Sequence, residues 1–125
     1  MSETKKWRMM IVDDSMVVRM KIGEAHGVHN IEVVGEAANG RKALEIFQRL
    51  RPNLITMDIT MPELDGIACI ESIVAIDPTV RILVISALAD KAIAIEAIKR
   101  GATGFINKPI NERKLVDALA EMISD

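Results

Sequence analysis

Short apolar runs alternate with helical periodicity from one end of the chain to the other. Met9 to Val12, Ile31 to Val34, Leu54 to Met57, Val80 to Ile85 and Phe105 to Ile106 read as five strands. These runs are continuously apolar rather than alternating, which predicts burial on both faces, as in a parallel sheet. Between them the period changes. Ala43, Ile46, Phe47 and Leu50 fall at i, i+3, i+4 and i+7, and so do Leu115, Ala118, Leu119 and Met122. Each set makes one apolar helix face. Punctuation agrees with this division. Arg51-Pro52 and Asp77-Pro78 close the second and third helices, Gly101 stops the fourth, and Asn111 caps the fifth. The pattern βαβαβαβαβα predicts an α/β domain, a parallel sheet with helices on both faces and right-handed crossovers.

Composition narrows the picture. The chain has 125 residues, the size of one domain, and the alternation fills residues 1–125 apart from a polar lead over residues 1–6. Aromatics are 2%, so the core must be aliphatic, with eight methionines. Met9, Met10, Met16 and Met20 are expected as core filler. Net charge is −2 with no basic stripe, which argues against nucleic-acid binding. Cys69 stands alone and forms no internal disulfide. No apolar run approaches the ~20 residues of a membrane span, and the start has no signal-peptide core. A monomer in the cytoplasm is the expectation, with no membrane insertion.

The chemistry gathers where the apolar runs end. Asp13 and Asp14 follow the first run, Asp58 the third, Ser86 closes the fourth, and Lys108-Pro109 follows the fifth. In an open parallel sheet these strand ends share one edge, where ligands bind. Clustered carboxylates need a cation or a proton between them. Mg²⁺ takes hard oxygen ligands, one or two of them carboxylates. Asp58 has the chemistry of a phosphoryl-accepting nucleophile, and Lys108 that of a point charge for a phosphate. Each residue also has a plainer explanation. Asp13-Asp14-Ser15 is good helix-capping material, Asp58 and Asp65-Gly66 suit turns, and most lysines are merely solvated. His26 and His29 fall in a polar turn without a ligand pattern.

The ordered set resembles a response-regulator receiver domain. Asp13-Asp14, Asp58, Met61-Pro62, Asp65-Gly66, Ser86, Phe105 and Lys108-Pro109 carry the resemblance, which covers Trp7 to Ile123. The single-domain chemotaxis regulators of that family are the most similar. The resemblance implies a flavodoxin-like three-layer sandwich with strand order 2-1-3-4-5, which is a known example of that layout. It implies that Asp58 accepts a phosphoryl group from a histidine kinase. It implies a Mg²⁺ site of Asp13, Asp14, Asp58 and the backbone carbonyl of Thr60. Lys108 and Ser86 would hold the phosphoryl oxygens, Ser86 and Phe105 would switch, and the bond before Pro109 would be cis. The output would be a face of the fourth helix, fifth strand and fifth helix, with Ala89, Ala94, Ile98, Phe105 and Asn107, offered to a partner such as a flagellar switch protein. Such a chain is a signalling domain, not an enzyme in the ordinary sense. A phosphorelay intermediate, passing the group to another histidine protein, is the alternative. A degenerate receiver that only binds partners fits less well, because every acid and Lys108 is present.

Some positions depart from the pattern. Phe105 lacks the hydroxyl of the tyrosine common in chemotaxis regulators. In the family the positions held here by Thr60 and Leu88 modulate phosphate lifetime, and an aliphatic Leu88 cannot orient water by hydrogen bonding. Slow self-dephosphorylation is therefore expected, on the order of minutes or longer. Two other classes share parts of the layout. A flavin carrier needs a phosphate-cradling loop where Asp13-Asp14 stand, and those acids would repel the phosphate. A phosphatase of the haloacid dehalogenase type needs its nucleophile on the first strand and an acid two residues on, where this chain has Ser15.

Overall fold

The apolar runs become β1 (Trp7–Val12), β2 (Ile31–Ala37), β3 (Leu54–Asp58), β4 (Arg81–Ser86) and β5 (Gly104–Asn107). The helices are α1 (Met16–Glu24), α2 (Gly40–Leu50), α3 (Gly66–Ile76), α4 (Lys91–Lys99) and α5 (Glu112–Ile123). The structure is a computed structural model and describes residues 6–24, 30–59, 66–87 and 90–123. All strand pairs are parallel, and the sheet order is β2-β1-β3-β4-β5. The chain leaves β1 toward one edge and returns to its other side as β3. The order therefore reverses at the β1–β3 boundary, the point where open α/β sheets hold ligands.

Two apolar cores sandwich the sheet. On one face Phe47 and Ala43 of α2, Cys69, Ile70 and Ile73 of α3, and Ala94 and Ala97 of α4 pack on Met10, Val12, Ile55, Met57, Ile82 and Val84. On the other, Ile22 of α1 and Leu115, Leu119 and Met122 of α5 pack on Met9, Ile11, Leu54, Leu83 and Ile85. Successive strand residues alternate between these cores, as the pleat requires. Burial is nearly continuous along β1, β3 and β4, the inner strands. The edge strand β2 runs to Ala37, three residues past the expected Val34: Gly35 fits closely under α2, where a Cβ would lie 2.9 Å from Ile46, Glu36 is exposed, and Ala37 is buried.

Local signals act at four helix ends, three as expected and one, the cap at Asn39, not foreseen. Asn39 Oδ1 accepts from Lys42 N–H at 2.9 Å at the start of α2, and Asn111 Oδ1 from Lys114 N–H at 2.7 Å at the start of α5. Pro52 keeps Arg51 out of the right-handed helical region, and Arg51 closes α2 with a left-handed φ of 50°. Gly101, after α4, has φ 121°, and a Cβ there would lie 2.9 Å from Val74 of α3, so only glycine fits.

Two expectations fail. Met9 and Met10 are fully buried, but Met16 and Met20 are 64% and 54% exposed. The helical period explains this: α1 buries Ile22 and half-buries Val18, while Met20 lies about 200° round the helix from Ile22. Ala94, assigned above to an exposed output face, is fully buried, because α4 needs small residues where it meets the sheet. Met61, Pro62, Asp65, His26, His29, Thr60, Leu88 and Ala89 lie outside the described residues.

One buried group invites a direct test. Thr56 in the middle of β3 stands in register between Ile11 and Leu83, and its hydroxyl has no hydrogen-bond partner among the described residues. A buried partnerless hydroxyl costs more than a methyl of similar shape. Thr56→Val is expected to raise the unfolding free energy by about 1 kcal/mol. Urea denaturation measures this, and an equal or lower stability would contradict it.

Candidate functional site

β1 ends at Val12, but pairing continues one residue further, through Asp13 N–H to the Ala37 carbonyl at 3.0 Å. The backbone then turns. Asp13 Oδ1 accepts from Ser15 N–H at 2.9 Å, and Ser15 Oγ accepts from Val18 N–H at 3.2 Å. The plainer reading of these residues is thus partly true: Ser15 caps α1, and Asp13 supports the turn with one oxygen. Its other oxygen, Oδ2, is buried without a hydrogen-bond partner among the described residues. Val12 is in register with Met57, so Asp13 emerges beside Asp58 at the end of β3. Asp58 is also buried, while Asp14 is exposed.

Carboxylate oxygens of Asp13, Asp14 and Asp58 lie within 4.8 Å of one another. Lys108 Nζ donates to Asp58 Oδ2 at 3.0 Å. The lysine is held there by its own backbone, whose N–H donates to the Ser86 carbonyl at 2.8 Å. The Lys108–Pro109 bond is cis. Lys114 of α5 reaches back to the carbonyls of Asn107 at 3.2 Å and Pro109 at 3.5 Å. Ser86 is fully buried, and its Oγ accepts from Asn107 Nδ2 at 3.5 Å. Phe105 is half-buried, in register with Val84, and leans on the core under α2, α3 and α4.

The electrostatics follow from this crowding. Burial pushes the Asp13 carboxyl up to about 6 from 3.8. The Ser15 N–H and Lys108 pull it down, and the neighbouring Asp58 adds to the rise. Burial also works against the charge on Lys108. Its hydrogen bond to Asp58 and the charges of Asp58, Asp13 and Asp14 outweigh that and raise it above 10.5.

Does this arrangement suit a cation? The donors are all hard carboxylate oxygens, two of the three residues are buried, and one buried oxygen has no hydrogen-bond partner among the described residues. Asp14 opens the group to water. That combination fits Mg²⁺, which keeps waters and takes few carboxylates. The sequence reading missed Arg19. Its guanidinium Nη1 donates to the Asp13 carbonyl at 2.7 Å, and its Nε pairs with Glu36 at 3.0 Å. A lone arginine among Val17, Val18 and Met20 was the available signal.

Residues 9–120 match the model of the response regulator receiver domain. The chain is 47% identical over 112 residues to the chemotaxis protein CheY of Thermotoga maritima, spanning 90% of this chain and 93% of that one. It is 40% identical to CheY of Bacillus subtilis, spanning 94% and 98%. Among solved structures it resembles the response regulator domain of Thermotoga maritima CheB, with TM-score 0.81 and 36% identity over 97% of this chain and 99% of that one. It also resembles the CheX-CheY-BeF3-Mg complex from Borrelia burgdorferi, with TM-score 0.87 and 27% identity over 95% and 90%.

Proposed function

This chain belongs to the response-regulator receiver family, and from that premise we propose that it stores a phosphoryl group on Asp58 to control a protein partner in chemotaxis. The observation that carries the reading is the buried Asp58 carboxylate, held by Lys108 at 3.0 Å among converging acids. Phosphoryl transfer needs positioning and charge neutralisation more than covalent help. An Asp58 oxygen attacks the phosphorus of a phosphohistidine on a kinase. The P–N bond breaks, and the imidazole leaves with the electron pair and takes a proton from water. The ammonium of Lys108, released from the bare carboxylate, meets the phosphoryl oxygens, and the Ser86 hydroxyl donates to them. Asp13, Asp14 and Asp58 would hold Mg²⁺ together with the Thr60 carbonyl. When bound it supplies positive charge against the carboxylates and the transferred oxygens.

The product adds negative charge at the end of β3, and local charge changes of this kind bias bistable elements. Ser86 and Phe105 are the switch in this reading. The Ser86 carbonyl accepts a backbone hydrogen bond from Lys108, and Phe105 is half-buried. Ile98, Phe105 and Asn107 would present the result, in the cytoplasm, to a partner such as a flagellar switch protein. Ala94 is withdrawn from that surface. The chemotaxis assignment draws on the similarity to CheY proteins along most of the chain.

The purified chain is expected to gain one phosphoryl group from acetyl phosphate plus Mg²⁺, mapped by mass spectrometry to Asp58. Asp58→Asn is expected to stay unmodified. Modification at another residue, or none with the donor in excess, would overturn the reading.

A further inference from the structure

Two adjacent acids do not converge by default. In extended backbone, successive side chains point to opposite faces. For Asp13 and Asp14 to serve one site, the peptide between them must be turned and held. That peptide's carbonyl belongs to Asp13, and it accepts from Arg19 Nη1 at 2.7 Å. Asp13 is thereby fixed at its N–H by Ala37, at Oδ1 by Ser15 and at its carbonyl by Arg19, which sets its carboxylate within the acidic cluster. Arg19 is itself only 16% exposed, and it spans from α1 to β2, where its Nε pairs with Glu36. Glu36 matters for charge. A bare guanidinium beside a site for a divalent cation would repel it, and the Glu36 carboxylate offsets that charge while leaving the donor in place.

We propose that Arg19 is a positioning residue for the cation site, locking the Asp13–Asp14 peptide, and that Glu36 neutralises it. This rests on the reading above that the three acids bind Mg²⁺.

Calorimetric titration of Mg²⁺ into the full chain tests it. Loss of groups that orient metal ligands typically weakens affinity by about 10-fold or more. Arg19→Ala is expected to raise the Mg²⁺ Kd by that factor at both low and high salt, because the defect is geometric. Glu36→Gln keeps the hydrogen bond but exposes the charge. Its loss of affinity is expected to be severalfold at low salt and to fade near 1 M, where screening acts within about 3 Å. Arg19→Lys, with one donor but no fork, is expected to restore part of the affinity. In metal-free protein, exchange of the Ser15 amide is expected to quicken in Arg19→Ala. If Arg19→Ala lowers the melting temperature but binds Mg²⁺ like the unaltered chain, Arg19 merely packs α1 and this inference fails alone. If the unaltered chain does not bind Mg²⁺, the reading of the site fails and this inference with it.

Discussion

Lys108→Ala is expected to accept phosphoryl groups roughly 10²-fold more slowly while binding Mg²⁺ more tightly. The two effects have one cause. In the unphosphorylated chain the ammonium sits 3.0 Å from Asp58 Oδ2, on a carboxylate the cation also needs. Removing it leaves three converging acids with less positive charge among them, so a cation is favoured. In the proposed transfer the same ammonium would meet charge developing on the phosphoryl oxygens. Deleting one preorganised donor of that kind typically costs on the order of 10²–10³ in rate. The fold should tolerate the change, since the loop is held by the Lys108 N–H and by Lys114. Calorimetry and the initial rate of modification by acetyl phosphate read the two effects separately. Weaker Mg²⁺ binding by the variant would show that Lys108 does not compete with the cation.

The second large effect concerns pH and metal removal. Asp13 is raised to about 6 in the folded chain from 3.8, chiefly by burial. Between these values the folded state keeps a proton that the unfolded state has lost. Stability of the metal-free protein is therefore expected to fall as pH rises from about 4 to about 6. At about 1.36 kcal/mol per unit the loss is on the order of 2–3 kcal/mol. Mg²⁺ is expected to remove the penalty by supplying the charge that burial denies. At a hundredfold excess over Kd it adds about 2.7 kcal/mol, and more of that gain appears at pH 7 than at pH 5, where Asp13 must first release its proton. Asp77 acts in the opposite sense. Its hydrogen bonds from Thr79 hold it below the usual carboxylate range, so its contribution is lost as pH falls. Urea curves with chelator, with Mg²⁺ and in Asp13→Asn separate these effects. A slope that survives unchanged in Asp13→Asn would assign the titration elsewhere.

Much of the layer order was legible because buried strands leave no room for polar residues. The inner strands β1, β3 and β4 were found within one or two residues for that reason. The edge strand β2 was cut short at Val34, since Gly35-Glu36-Ala37 carries no apolar run, although Gly35 and Ala37 lie covered. The meeting of Asp13, Asp14, Asp58 and Lys108 followed from their places at strand ends, because a parallel sheet collects those ends on one side. Side-chain direction on helices was less legible. α1 is apolar almost all round, so its sequence did not tell Ile22, which packs, from Met16 and Met20, which face out. The role of Arg19 was not legible for a different reason: the lone arginine stands out among apolar neighbours, but Asp13 and Glu36, which it joins, are neighbours only after the sheet has formed.

The double use of Asp13 reaches beyond chemistry. One oxygen of this residue shapes the start of a helix, while its carboxylate belongs to the acidic cluster. Positions 13, 15 and 19 therefore form a single mutational unit, in which the worth of a change at one depends on what stands at the others. Variation that tunes the site must pass through the helix that begins beside it, so such lineages can drift in α1's outward residues far more freely than in these three.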